Sequence, residues 1–145
     1  MTDREYPARP IVGIGVVLLK PNAVLLVQRG KPPNRGSWSL PGGAQELGET
    51  CEVAARRELE EETGLIVGEL TLAKCFDSIR RDGTGRIQYH YTIIDYAGRW
   101  IDGEPHASSD VIGARFVPFD GLGEYNLTAI AHEVIDIARR LVGYD

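Results

Sequence analysis

The densest set of residues that could carry out chemistry lies between Gly43 and Leu65, where four glutamates fall within five positions: Glu58, Glu60, Glu61 and Glu62. On a helix, at about 100° per residue, Glu58 and Glu62 share one face. The same face carries three small side chains, Cys51, Ala54 and Ala55. Small side chains indicate close packing, where two carboxylates would repel each other and lose hydration. A divalent cation would remove this conflict, and hard oxygen ligands favour Mg²⁺ or Mn²⁺ over zinc.

The other charges of this stretch have a simpler interpretation. Glu52, Arg56 and Glu60 lie four residues apart, and alternating signs at that spacing stabilise a solvent-exposed helix face. Glu61 follows Arg57 by four residues, so these two side chains can form an ion pair. The sequence therefore predicts one ordinary charged face and one face whose acids require a cation.

The helix that positions these acids is predicted to span residues 50–63. Thr50 is a suitable N-cap, and Gly64 is placed for the left-handed residue that ends many helices. Apolar, β-branched runs before it predict buried strands over residues 11–19 and 23–28. The segment from Gly30 to Gly43 is rich in proline and glycine and is predicted to be a loop, with a short extended piece at residues 37–40.

The chain after this helix is predicted to form further strands and a second helix. One or two strands are predicted over residues 65–80, and single strands over 86–96 and 114–118. A hairpin turn is predicted at 81–85, a polar loop at 103–113 and an amphipathic helix at about 127–142. This order predicts an α/β fold with a mixed sheet between helices.

The composition limits the class of protein. With 145 residues, 43% of them hydrophobic and 26% charged, the chain is expected to form one soluble domain, with residues 1–8 as a loose tail. A net charge of −5 disfavours binding to nucleic acid or to an acidic membrane. The sequence contains no apolar signal region and no run long enough to span a bilayer. The two cysteines are read as reduced thiols, and the expected location is the cytoplasm.

At this point the residues resemble a known family. The stretch fills every fixed position of the Nudix box, G-x5-E-x7-R-E-U-x-E-E-x-G-U, where U is a bulky aliphatic residue. The matching residues are Gly43, Glu49, Arg57, Glu58, Leu59, Glu61, Glu62, Gly64 and Leu65. A chance match at a given start has a probability on the order of 10⁻¹⁰ from average residue frequencies. Trp38 and the Pro41-Gly42-Gly43 run before the box also resemble the family.

The resemblance implies a Nudix-type α/β/α sandwich and a metal-dependent pyrophosphohydrolase. Such an enzyme cleaves a nucleoside diphosphate linked to another group, for example a nucleotide sugar such as ADP-ribose, or a nucleoside triphosphate. By position, it implies that Glu58 and Glu62 bind Mg²⁺ or Mn²⁺, with help from Glu61 and the backbone carbonyl of Gly42 or Gly43. It further implies that Arg57 orients a carboxylate and that Glu49 fixes the loop or the metal shell.

Hydrolysis also needs a group that takes a proton from the attacking water. Glu61, Asp110 and Glu104 are the candidates, and Asp110 stands six residues before Phe116, where some family members place a loop acid. Their relative merits stay open, since an acid in a polar loop is often only a surface charge.

Two residues are candidates for substrate binding. Arg29, at the end of a strand that leads into the pocket loop, could contact phosphate or could be a surface charge. Trp38 could stack on a base or close the core. On the strand that returns from the hairpin, one face carries Gln88, His90 and Thr92, and the other carries Tyr89 and Tyr91. One of these faces should line the pocket.

The sequence does not identify the substrate. ADP-ribose pyrophosphatases of the family often have a proline about fifteen residues after the box, whereas this chain has Arg80 there, which weakens that assignment. The expected partner is a small-molecule nucleotide, and the oligomeric state, a homodimer included, stays open. The rival hypothesis is a domain that senses a nucleotide without hydrolysing it, which the intact box disfavours.

Overall fold

The first strand, β1 (Ile11–Lys20), lies at the centre of a sheet because both of its faces are apolar. A computed structural model describes residues 4–145 of the chain. In this structure β1 pairs in parallel with β6 (Ile87–Arg99) along most of its length. Its other edge pairs antiparallel with two strands, with β2 (Ala23–Arg29) near its end and with β4 (Gly42–Ala44) nearer its start. Because β2 and β4 share this edge, Gly43, the first residue of the Nudix box, lies against the central strand.

Three further strands complete a seven-stranded mixed sheet. The short β3 (Trp38–Ser39) and β7 (Val111–Pro118) both pair with β2, and β5 (Thr71–Arg81) pairs with β6 as a hairpin. A 3₁₀ helix, Phe119–Tyr125, follows β7.

Two α-helices cover the two faces of this sheet. Alternate residues of β1 point to opposite faces, so Val16 and Leu18 belong to one buried cluster and Val17 and Leu19 to another. The first cluster includes residues of α1 (Cys51–Thr63), and the second includes residues of α2 (Ala129–Val142). The predicted α/β/α sandwich with a mixed sheet is confirmed.

The predicted caps of α1 are present. The Thr50 side chain accepts a hydrogen bond from the backbone N–H of Val53 at 3.1 Å, which satisfies one of the free donors of the first turn. Gly64 ends the helix with φ of 74°, a left-handed conformation that glycine adopts without steric cost. Local chemistry thus fixes both ends of the helix that carries the acids.

Several elements differ from the sequence-based predictions. β4 lies partly in the segment predicted to be a loop, and the 3₁₀ helix was not predicted. β7 begins at Val111 rather than at residue 114, and β5 begins only at Thr71. Arg56 donates to the carbonyl oxygens of Val67 and Gly68 instead of pairing along an exposed stripe. These features depend on contacts between distant segments, which local patterns do not report.

The prediction of a loose tail at residues 1–8 is wrong at Glu5 and Tyr6. The Tyr6 backbone N–H donates to the carbonyl oxygen of Gln88 at 2.7 Å, and its hydroxyl donates to Oδ2 of Asp82 at 2.6 Å. The Gln88 amide donates to Oε2 of Glu5 at 2.8 Å. Glu5 and Tyr6 are therefore held against the β5–β6 hairpin, while residues 1–3 lie outside the described part of the chain.

Within residues 4–145, no helix is long and apolar enough to cross a membrane. Both cysteines, Cys51 and Cys75, are free thiols.

The packing of α1 on the sheet depends on Leu59, which is fully buried. We expect Leu59→Ala to lower the free energy of unfolding by about 3 kcal/mol, because the shortened side chain leaves a cavity under the helix. Urea denaturation followed by circular dichroism measures this change. Val53→Ala is the matched control on the same helix, since Val53 is 51% exposed, and its effect should stay within about 0.5 kcal/mol. Equal effects of the two substitutions would contradict this packing.

Candidate active site

The acids of α1 open onto a polar cavity of about 150 Å³. Glu58, Glu61 and Glu62 line it from the helix, and Asp110 lines it from the segment just before β7. Gly42 and Gly43 of β4 line it next to these acids. The structure thus brings together the predicted metal ligands and one of the predicted loop acids.

Arg57 is the centre of the charge network beside this cavity. Its Nε and Nη2 donate to the two carboxylate oxygens of Glu49 at 2.6 and 2.9 Å, a bidentate pair. Its Nη1 donates to Glu58 at 2.8 Å and to Glu61 at 3.2 Å. The hydrogen bonds to Glu49 and Glu58 raise the pKa of Arg57, and the hydrogen bond from Arg57 lowers the pKa of Glu49. One cation therefore orients three carboxylates.

Arg57 also joins α1 to the strand beside it. Its Nη2 donates to the backbone carbonyl oxygen of Ala44 at 3.1 Å. Glu49 in turn accepts from the backbone N–H of Glu46 at 2.8 Å, which closes the turn between β4 and the helix. The pair formed by Arg57 and Glu49 therefore fixes the path of the loop that precedes α1.

Glu62 lies beyond the reach of Arg57 in this network. It is 9% exposed, and its Oε1 accepts a hydrogen bond from the backbone N–H of Gly42 at 2.8 Å. Burial raises the pKa of Glu62 to about 7, and the negative charges of Glu58, Asp110 and Glu61 add to the increase. Burial also raises the pKa of Glu58, against the opposing effect of Arg57. The negative charge of Glu62 is therefore disfavoured by its surroundings, and a nearby cation would stabilise it.

Gly43 packs directly under the Glu58 carboxylate. A Cβ atom at residue 43 would collide with the carboxylate carbon and both oxygens of Glu58. A Cβ atom at residue 42 would collide with the carbonyl oxygen of Ile14 in β1. The two glycines therefore let a strand fit between β1 and the acids of α1.

The carboxylates do not form a ready-made cage for a metal ion. Within residues 4–145, no group of three or more His, Cys, Asp and Glu side chains is arranged to hold one. Arg57 engages Glu58 and Glu61 instead, and the Glu61 side chain is 50% exposed. Mg²⁺ is commonly bound through only one or two carboxylates, with waters and substrate phosphates completing its shell. The partly buried carboxylate of Glu58 and the buried carboxylate of Glu62, beside the β4 backbone, fit this smaller set of donors.

The candidate general bases differ in position. Asp110 faces the cavity and pairs with Lys31 at 2.8 Å, and Glu61 also lines the cavity. Glu104 is exposed and is not among the residues that line it. The backbone N–H of Ser108 donates to the carbonyl oxygen of Glu62 at 3.0 Å, which ties the Asp110 segment to the end of α1.

The candidate substrate-binding residues also differ. Arg29 lines the cavity, while its guanidinium donates to the carbonyl oxygens of Lys31, Pro32 and Pro33 and so supports the loop that follows β2. Trp38 packs edge-on against Tyr125, with ring centroids 5.2 Å apart, and the guanidinium of Arg115 lies over its ring. Trp38 does not line the polar cavity.

A second cavity, of about 340 Å³, adjoins the first. We call it the apolar cavity, and the residues that line both are Arg4, Arg29, Ser39, Leu40, Gly42 and Gly43. It lies between β1, β6 and the start of α2, and Tyr91, Ile93 and Asp95 line it from one face of β6. The tyrosine face, rather than the face of His90, therefore lines a pocket.

Asp95 was missed by sequence reasoning. It is 5% exposed, and burial raises its pKa to about 6. The available signal was a single acid at the alternating position that follows Tyr89, Tyr91 and Ile93 on one face of the strand. Acids are rarely buried without a partner, so this pattern could have drawn attention to it.

We expect Arg57→Met to lower the free energy of unfolding by about 2–4 kcal/mol, because it leaves the partly buried Glu49 and Glu58 without their cation. Urea denaturation at pH 7 measures the loss, and Arg57→Lys should recover only part of it, since an ammonium cannot bind Glu49 in a bidentate way. Glu46→Gln is the control, because that exposed acid is 3.7 Å from Arg57. If Arg57→Met were as stable as the native protein, the network would not hold the loop.

The raised pKa of Glu62 predicts how stability depends on pH in metal-free buffer. The folded state holds the Glu62 proton more tightly than the unfolded state, so stability is lost as pH rises from about 4.5 through about 7. Glu62→Gln should remove up to about 3 kcal/mol of this loss between pH 5 and pH 8. Chemical denaturation across this range measures it, with Glu60→Gln as the exposed control. Parallel pH profiles of stability for the native protein and Glu62→Gln would contradict the raised pKa of Glu62.

The chain matches known proteins over most of its length. The NUDIX domain model matches residues 9–138. An ADP-ribose pyrophosphatase from Methanocaldococcus jannaschii is 36% identical over 126 residues, which cover 87% of this chain and 70% of that protein. A putative 8-oxo-dGTP diphosphatase 2 from Mycobacterium tuberculosis is 41% identical over 86 residues, which cover 58% of this chain and 57% of that protein.

Solved structures agree with this match. A MutT NUDIX hydrolase from Burkholderia pseudomallei superposes with a TM-score of 0.76 at 28% identity, covering 88% of this chain and 97% of that chain. The NUDIX domain of Shewanella oneidensis NrtR, solved in complex with ADP ribose, has the same fold, with a TM-score of 0.76 at 22% identity over 92% of this chain and 89% of that one. The chain therefore belongs to the NUDIX family and is a hydrolase that acts on phosphoanhydride bonds.

Proposed function

We propose that this hydrolase cleaves the diphosphate of a nucleoside diphosphate linked to another group, and that ADP-ribose is its leading substrate. The observation that carries the proposal is the pair of carboxylates formed by the partly buried Glu58 and the buried Glu62, beside the β4 backbone in a polar cavity that continues into an apolar one. A charged diphosphate suits the first cavity and a nucleoside suits the second.

The choice of ADP-ribose rests on the relative from Methanocaldococcus jannaschii, which matches most of this chain and is named for that substrate. Arg80 still departs from the proline that pyrophosphatases of that specificity often carry at this distance from the box. The longer match outweighs this single position, because one residue on a surface hairpin contributes little to a pocket elsewhere.

The proposed roles follow from the positions of the side chains. Glu58 and Glu62, with a backbone carbonyl of Gly42 or Gly43 and with Glu61, would hold Mg²⁺ or Mn²⁺. Such a cation neutralises phosphate oxygens and lowers the pKa of water. Arg57 acts as a positioning residue, because it orients Glu58 and Glu61 and is engaged by carboxylates rather than free to contact substrate.

The reaction requires water to form a new bond to one phosphorus while the bond from phosphorus to the bridging oxygen breaks. Glu61 and Asp110 both line the polar cavity and are the two candidates for taking the proton of that water. Arg29 lines both cavities and is the candidate contact for the phosphate that leaves. For ADP-ribose the products are AMP and ribose 5-phosphate.

We expect the purified protein with Mg²⁺ to convert ADP-ribose to AMP and ribose 5-phosphate, and Glu62→Gln to lose at least about 100-fold in kcat/KM, because it removes a charged ligand of the cation. Product identification by chromatography measures both. Glu60→Gln is the matched control, since Glu60 is one helix position before Glu61 and is exposed, and it should retain the activity.

A panel that includes nucleoside triphosphates, 8-oxo-dGTP and other nucleotide sugars makes this experiment decisive. Turnover of another member but not of ADP-ribose would replace the substrate and keep the reaction. Equal turnover by Glu62→Gln would contradict the assigned site. Thermal stabilisation by a nucleotide, without any product in Mg²⁺ or Mn²⁺, would favour the rival hypothesis of a sensing domain.

A further inference from the structure

Asp95 is the buried acid that the proposed reaction does not use. It lies on β6 directly opposite Gly15 of β1, and a Cβ atom at residue 15 would collide with its carboxylate. Among residues 4–145, no side chain or backbone group forms a hydrogen bond with this carboxylate, although it is 95% buried. Glycine at position 15 therefore leaves room for an acid that has no partner in the described chain.

The carboxylate reaches the apolar cavity instead. Asp95 lines that cavity. In the described residues, every side-chain nitrogen or oxygen that is closed off from solvent has a hydrogen-bond partner. Because the Asp95 carboxylate has no such partner, its oxygens must be accessible from the cavity. Most of the surrounding wall is apolar or aromatic, formed by Leu40, Phe76, Tyr91, Ile93 and Ile130. Arg4 and Arg29 also line this cavity, but within residues 4–145 neither pairs with Asp95, and Arg29 donates to loop carbonyl oxygens instead. A polar group in such walls is costly until something donates a hydrogen bond to it. The site therefore lacks one hydrogen-bond donor.

The position of the cavity indicates which ligand brings that donor. Ser39, Leu40, Gly42 and Gly43 line both the apolar cavity and the polar cavity of the carboxylates. A ligand whose diphosphate lies beside Glu58 and Glu62 can therefore extend its nucleoside past β4 to Asp95. A flat aromatic base suits walls of this kind, and about 340 Å³ is enough for it.

We propose that the apolar cavity binds the nucleobase and that Asp95 accepts a hydrogen bond from an N–H group of that base, so that it selects bases which carry a donor. This inference rests on the proposed function, because it assumes a nucleotide substrate. Adenine provides its exocyclic amine, and guanine provides a ring N–H and an amine. An unsubstituted purine provides only acceptors and would leave the buried acid without a partner, which costs binding energy.

The test measures equilibrium binding, so that it does not depend on turnover. Isothermal titration calorimetry with Mg²⁺ compares AMP and GMP with purine riboside 5′-monophosphate, whose base carries no N–H group. At least one of the donor-bearing nucleotides should bind about 10-fold or more tightly than the donor-free one, as expected for a hydrogen bond to a charged group.

Two variants test whether the difference in Kd depends on Asp95. In Asp95→Asn the amide is neutral and can donate to a ring nitrogen, so the difference in Kd should shrink to about threefold or less. Asp77→Asn is the matched control, because it removes the same charge from an exposed position on the neighbouring strand β5 and should leave the difference unchanged.

The outcomes separate this inference from the proposed function. Equal binding of all three nucleotides by the native protein, or no binding of any, would overturn the role of Asp95. Because this comparison uses only the native protein, it tests the proposal even if Asp95→Asn does not fold. A preference that persists in Asp95→Asn would also overturn it. A clear preference together with no hydrolysis of any panel substrate would contradict the proposed function and leave the base site intact.

Discussion

The close approach of β4 to its two neighbours is the constraint on which the candidate site depends. Gly42 lies against the backbone of β1, and Gly43 lies under the carboxylate of Glu58, at distances that no side chain would permit. The Gly42 backbone N–H also donates to Glu62. Because both glycines line the polar cavity and the apolar cavity, this one strand sets the distance between the acids of α1 and any ligand that spans the two.

The electrostatics depend on which groups the nearby cations engage. Arg57 contacts Glu49, Glu58 and Glu61, which uses its fork of donors, and Lys31 pairs with Asp110. Among the described residues Glu62 has one donor, the backbone N–H of Gly42, and burial raises its pKa to about 7. A negative charge that the protein itself does not compensate attracts a divalent cation. Arg57 therefore holds the acids in place, and the uncompensated charge lies next to the cavity.

The features that local chemistry determines could be predicted, and those that depend on distant segments could not. The caps of α1, its acids and the flanking buried strands follow from residue types at short spacing. The pairing of Gly42 with Gly15, the contact of Tyr6 with the β5–β6 hairpin and the burial of Asp95 join segments far apart in the sequence. Trp38 shows the same limit, because only the fold decides that it packs against Tyr125.

The division of the site between segments explains why an intact box identifies a reaction but not a substrate. Glu58, Glu61 and Glu62 come from α1 and are fixed by spacing within one helix. Asp95 comes from β6, and the far wall of its cavity comes from the start of α2, neither of which belongs to the box. A substitution at Asp95 can therefore alter what the apolar cavity accepts without moving a carboxylate of α1. Specificity in this fold can change while the hydrolytic residues stay constant.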